Sequence, residues 1–206
     1  MKRINNILDY INELYPNVGC ELNYTKDYEL AIAVMLSAQT TDASVNRVTP
    51  TLFSKYPTIK SLAQADAKEI EKYINSLGLA HNKSKNIKAF AEKLAYEFDG
   101  KLPSDKKVLT TFPGIGNKSA GVIRAEVFRI PDLPVDTHIL RISNRLQLTN
   151  SENPDVVEQD LKNLIPKEKW IQIHHQLIHF GRYFCTARNP QCQNCKIKSY
   201  CINSIN

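Results

Sequence analysis

The sequence predicts an all-α protein. Two observations carry that expectation: apolar residues recur at helical spacing along nearly the whole chain, and sustained alternation of the strand type is absent. A third is punctuation, because short proline and glycine breaks separate the periodic segments.

The elements follow in order. Ile4, Ile7, Leu8, Ile11 and Leu14 form one stripe, which a break at Pro16 to Gly19 closes. Leu30, Ala31, Val34, Met35 and Ala38 form a second. Further breaks fall at Tyr56-Pro57, around Gly78, at Gly100 to Pro103, Pro113 to Gly116, Pro131 to Pro134 and Asn150 to Pro154. About ten helices joined by short loops are expected. Low-complexity tracts, solenoid-length repeats and long linkers are absent.

At 206 residues and 42% hydrophobic content the chain can build one large or two small domains. Its formal charge of +6 suits an anionic partner such as nucleic acid, and equally a lysine-rich solvated surface. The start, MKRINNILDY, lacks the apolar core of a signal peptide, and the longest apolar stretch, Leu30 to Ala38, is too short to span a bilayer. A cytoplasmic protein without membrane partners is expected. Cys20 stands alone and reads as a small buried residue, whereas the other four cysteines crowd the C-terminal end.

The most informative stretch is LTTFPGIGNKSAGVI from Leu109 to Ile123, where one short helix is expected to stop at Pro113 and another to begin after Gly116. Gly114 and Gly116 bracket Ile115 in a tight turn whose amides, with the following helix N terminus, can hold a phosphate oxygen. Pro113 to Gly116 thus form a helix-hairpin-helix pattern, a grip that ignores base sequence, or else a plain glycine-capped connection. Lys118 falls in the first turn of the second helix, where the positive end of the dipole opposes an ammonium. Such a lysine is useful if its neutral amine must attack a sugar carbon and form a Schiff base, although a phosphate or solvent contact would also explain it.

The chain then turns and reads PVDTHILRISNRLQL, which makes Asp136 a helix N-cap. A cap is also a fixed, directed anion, able to stabilise positive charge on a deoxyribose as its base departs. His138 could contact substrate or DNA, or make structural hydrogen bonds at the helix start. Cys185, Cys192, Cys195 and Cys201 are spaced C-x6-C-x2-C-x5-C, so four thiolates can converge on zinc or an iron-sulfur cluster; two disulfides are a formal alternative. From Arg182 onward the chain has basic residues and no acidic ones, so a metal-organised loop could press Arg188, Lys196 or Lys198 against DNA, with solvated surface charge as the alternative.

Together with LSAQTTD at 36 to 42, SLGLAHNKSKNI at 76 to 87 and HFGRYFC at 179 to 185, these motifs resemble the bacterial endonuclease III family over nearly the whole chain. The resemblance implies two helical domains with DNA in the cleft between them: 21–130 as a six-helix domain with the hairpin, and 1–20 with 131–206 as an iron-sulfur domain. It implies a monomeric DNA glycosylase and apurinic/apyrimidinic (AP) lyase that removes oxidised pyrimidines from double-stranded DNA. By matching motif, Lys118 is the Schiff-base lysine, Asp136 the catalytic aspartate, and the four cysteines the ligands of a [4Fe-4S] cluster. Gln39 fills the gap left by an extruded nucleotide and Leu79 is the wedge; locally they would read as a helix-end amide and a core residue. Gly121 stands where the family usually carries asparagine, and Arg124, Glu126 and Arg129 make that helix unusually charged. KSAG is similar to the related adenine glycosylases, so a monofunctional mismatch glycosylase is an alternative, as is a non-catalytic iron-sulfur DNA-binding module.

Overall fold

The computed structural model describes residues 2–202 and is helical throughout, with eleven α-helices and no strand among the described residues. None of these helices is long and apolar enough to cross a membrane. The chain divides into two compact units, Glu21–Phe128 and a second made of the chain up to Cys20 together with the chain from Arg129 onward.

In the first unit, α2 (Asp27–Leu36) is the centre: every residue from Tyr28 to Leu36 is buried, as expected of a helix that is apolar all round. Around it stand α3 (Asp42–Lys55), α6 (Ala80–Glu97) and α8 (Asn117–Phe128), each packed on α2. Two short helices, α4 (Ile59–Gln64) and α5 (Ala67–Ile74), pack on α6. The sequence breaks mark these two as one segment, but Asp66 starts a new helix by accepting a bond from the Lys68 amide at 2.8 Å. The short α7 (Lys106–Leu109) ends earlier than Pro113, where the sequence places its stop. Thr111 and Phe112 continue it only as tight i to i+3 turns, so the chain enters the hairpin already unwound.

The second unit holds α1 (Lys2–Leu14), α9 (Thr137–Arg145), α10 (Pro154–Leu164) and α11 (Trp170–His179), the last running into a π-helical turn at Phe180–Phe184. Ile7, Ile11, Ile139, Ile142, Leu177 and Phe180 share its core. Phe180 and Phe184 stack at 5.2 Å, and Tyr10 meets both edge-on. Lys162 pairs with Asp132 at 2.6 Å and with Glu158 at 2.5 Å, joining α10 to the segment before α9. The N-terminal helix belongs here because its polar face ties down the cysteine segment: Arg3 donates to Tyr200 O, Asn6 to Tyr200 Oη, and Tyr10 Oη to Asn194 O. Cys20 is partly exposed, not buried as its isolation in the sequence suggests.

Candidate functional site

The glycine hairpin is anchored from below. Ile115 is 3% exposed and its amide bonds to Phe112 O, so the residue between the glycines plugs the core. Gly114 has φ +79°, and a Cβ there would lie 2.7 Å from Met35 Sδ and 3.1 Å from Asn86 Cβ. Only glycine lets the turn sit this close to α2 and α6. Pro113 is half-buried, while Gly114 and Gly116 are exposed. The first intrahelical bond of α8 runs from Ala120 N to Gly116 O, and Lys118 stands exposed in that first turn. Of the charged residues in and after α8, Arg124 donates to Ser104 O at 3.1 Å, Glu126 is buried, and Arg129 takes a left-handed conformation just past the helix end. Gly121 is buried.

Gln39 and Leu79 share an unusual backbone. Among the described residues five non-glycines have positive φ, and Asp99, Arg129 and Gln147 among them terminate helices in the customary way. Gln39 (φ +55°) and Leu79 (φ +62°) do not. Gln39 lies in a turn closed by Thr40 N to Ser37 O at 3.1 Å, and its side chain is exposed. Leu79 precedes α6 and is 54% exposed, so the core role that local reasoning offers it is excluded. A strained backbone presenting a large apolar side chain to solvent makes Leu79 a candidate functional residue, since stability alone would favour neither.

One residue that the sequence reading passes over is Lys83. It is buried at 6% exposure, and burial pushes its pKa down. The signal was present: Lys83 falls on the same helical stripe as Ile87, Phe90, Ala91 and Leu94, where an unpaired charge is out of place.

In the second unit, Asp136 caps α9, its carboxylate accepting from Ile139 N at 2.8 Å. His138 lies against Gly181, where a Cβ would come within 2.9 Å of His138 Cβ; this explains the glycine of HFGRYFC. Burial lowers the His138 pKa, and the Arg141 and Arg182 charges add to that, against Asp136 and a bond to the Gly181 backbone. His138 is half-buried, two residues after Asp136 in the first turn of α9. Arg141 donates to Gly181 O at 2.7 Å and Cys185 O at 3.1 Å. Arg145 donates to Thr186 O at 2.8 Å, Ala187 O at 3.0 Å and Cys185 Sγ at 3.3 Å. Neither arginine was singled out from the sequence.

Cys185, Cys192, Cys195 and Cys201 line one pocket with Arg145, Leu146, Phe180 and Phe184, and none is in a disulfide. Burial and the neighbouring cysteines push the Cys195 thiol up, which marks a crowded sulfur site. Among the described residues no three Cys, His, Asp or Glu are disposed to hold a single ion. Four free thiols lining one pocket form a soft donor set of the kind that holds zinc or an iron-sulfur cluster. Arg188 and Lys198 are exposed beside this pocket, while Lys196 is engaged by Glu13.

Residues 32–167 match the HhH-GPD superfamily of base excision DNA repair proteins, and residues 185–201 match the iron-sulfur binding domain of endonuclease III. The chain is 41% identical to endonuclease III of Bacillus subtilis, with 98% of this chain and 92% of that protein covered. A non-covalent endonuclease III-DNA complex is similar at TM-score 0.96 and 40% identity, covering 99% of this chain and 96% of that one. A trapped endonuclease III-DNA covalent intermediate is similar at TM-score 0.94 and 40% identity, with the same coverage. The chain therefore belongs to the HhH-GPD superfamily of base excision DNA repair proteins and, within it, to the endonuclease III family.

Proposed function

We propose that this chain, a base-excision DNA glycosylase and AP lyase carrying a [4Fe-4S] cluster, acts as a monomer on oxidised pyrimidines in cytoplasmic, chromosomal duplex DNA. The observation that carries the reading is Lys118, exposed in the first turn of α8 directly after a glycine hairpin, in a chain similar to a covalently trapped endonuclease III-DNA complex. The hairpin from Pro113 to Gly116 holds a backbone phosphate, and Arg188 adds a charge contact. Gln39 and Leu79 enter the duplex and offset the cost of extruding the nucleotide, about a few kcal/mol.

Lys118 Nζ then attacks C1′ as the glycosidic bond breaks, and the base leaves with the bonding electron pair. The Asp136 carboxylate, fixed by its bond to Ile139 N, stabilises the positive charge that builds on the sugar. Loss of the amine proton and ring opening give an imine. Imine formation acidifies C2′, and removal of that proton expels the 3′ phosphate, leaving a nicked strand and an enzyme-bound sugar that water releases. The four cysteines hold the cluster, which organises the loop around Arg188. His138, beside Asp136 at the start of α9, is offered to the DNA or packs against Gly181.

Borohydride should trap wild-type protein on abasic-site duplex as a covalent adduct. Lys118→Ala should lose the adduct, with excision falling about a thousandfold or more and DNA binding retained. Wild-type protein that binds the same duplex without trapping would refute the assignment. A panel of thymine glycol, A:G and T:G duplexes separates the oxidised-pyrimidine reading from a mismatch specificity.

A further inference from the structure

The Gln39 turn and the Leu79 turn are far apart in sequence, yet one side chain fastens both. Lys83 closes the first turn of α6, its amide bonding to Leu79 O at 2.9 Å. Its ammonium crosses to the end of α2 and donates to Leu36 O at 2.9 Å and Thr40 Oγ1 at 2.8 Å. Those two acceptors bracket the Gln39 turn, one before it and one after.

Both acceptors are neutral, so a buried charge is kept where an apolar residue would continue the stripe of Ile87, Phe90 and Leu94. The site has reasons to be a lysine. Leu36 O belongs to the last turn of α2, where carbonyls lack helical partners and the dipole favours a cation. The four-carbon stem spans the gap between helices, and the ammonium can aim separate hydrogens at two oxygens, which no short hydroxyl could reach.

We propose that Lys83 is a positioning residue that locks the Gln39 and Leu79 turns into one preformed device for opening the duplex. The inference rests on the reading that Gln39 and Leu79 enter the DNA. Both turns are strained, and without a clamp each would relax when free and need ordering again on every encounter. Holding them ready moves that entropy cost into folding. Lys83 itself touches no reacting atom.

The test separates duplex opening from sugar chemistry. Lys83→Met keeps the stem and removes the donors. Two substrates are used: a thymine glycol duplex with 2-aminopurine beside the lesion, whose fluorescence reports unstacking, and a single-stranded abasic oligonucleotide, which needs no opening. Lys83→Met should lower the unstacking signal and single-turnover duplex excision about tenfold or more, because displaced positioning groups cost rates of that order. Borohydride trapping on the single strand should stay within about twofold of wild type.

Equal losses on duplex and single strand, or no loss on either, would overturn the proposal. Thr40→Val removes one half-exposed acceptor and should shift the duplex readouts the same way by about threefold. Should Lys83→Met fail to fold, Thr40→Val decides alone: a duplex-selective loss supports the clamp and wild-type behaviour overturns it. Gln39→Ala and Leu79→Ala are run alongside. If these leave unstacking and excision intact, the premise fails and the inference with it; if they abolish unstacking while Lys83→Met does not, only the clamp is wrong.

Discussion

The two units hold their exposed candidate residues by opposite means. In Glu21–Phe128, Gln39 and Leu79 ride on turns and Lys118 on the first turn of α8, with Gly114 seated on Met35 and Asn86 and with Ile32, Leu36, Ile87 and Phe90 wholly enclosed. In the other unit, the segment after Phe184 has Ile197 as its one buried apolar side chain among the described residues. What fastens that segment is polar: Arg3, Tyr10, Arg141 and Arg145 donate to its carbonyls and to Cys185 Sγ. Ordering backbone costs about 1–2 kcal/mol per residue, and so little apolar burial cannot offset it. The first unit orders its candidate residues by packing; the second is expected to rely on its cluster.

The largest expected effect breaks this contrast directly. Cys192→Ser should cost the cluster, seen as loss of the broad visible absorption and of bound iron. Hydrogen exchange of 185–202 should then rise about a hundredfold or more, with the core amides of 21–128 unchanged. DNA affinity should fall about tenfold, and trapping at saturating DNA should change far less. Equal affinity with lost turnover would contradict a purely organising cluster.

Asp136 sharpens the comparison, since a cap and a catalytic anion are separable. Asp136→Asn preserves the cap and Asp136→Ala should cost about 1 kcal/mol of stability, whereas both should slow excision about a hundredfold. Thermal melting beside single-turnover kinetics reads the two effects apart.

The glycines come next. Gly181→Ala forces a methyl within 2.9 Å of His138 Cβ and should cost about 1–3 kcal/mol in urea unfolding. Gly114→Ala adds left-handed strain to a 2.7 Å approach to the flexible Met35 side chain, for about 2 kcal/mol. The smallest effect is on pH. Because burial lowers the His138 pKa below its ordinary 6.5, the unfolded chain binds more protons between that lowered value and 6.5. Stability should therefore be full above pH 6.5 and decline as pH falls below it, and His138→Gln should flatten that decline.

Much of this was legible without coordinates because its physics is local. Helical periodicity, the Asp136 cap, the glycine turn before Lys118 and the spacing of the four cysteines are short-range patterns that a helix, a cap or a loop must satisfy whatever surrounds it. Local chemistry alone misplaces two features. Leu79 reads as core by its chemistry yet is exposed, and α7 stops at Leu109 because Phe112 must turn into the core before the hairpin.

The amino-acid sequence by itself determined the all-helical class, the family and the candidate residues of the chemistry. Tertiary structure alone decided that α1 secures the cysteine segment, that Arg145 reaches Cys185 Sγ, and that Lys83 fastens the turns carrying Gln39 and Leu79. Those contacts join residues 194, 40 and 47 positions apart. Periodicity shows which face of a helix is buried, but only packing shows what that face meets.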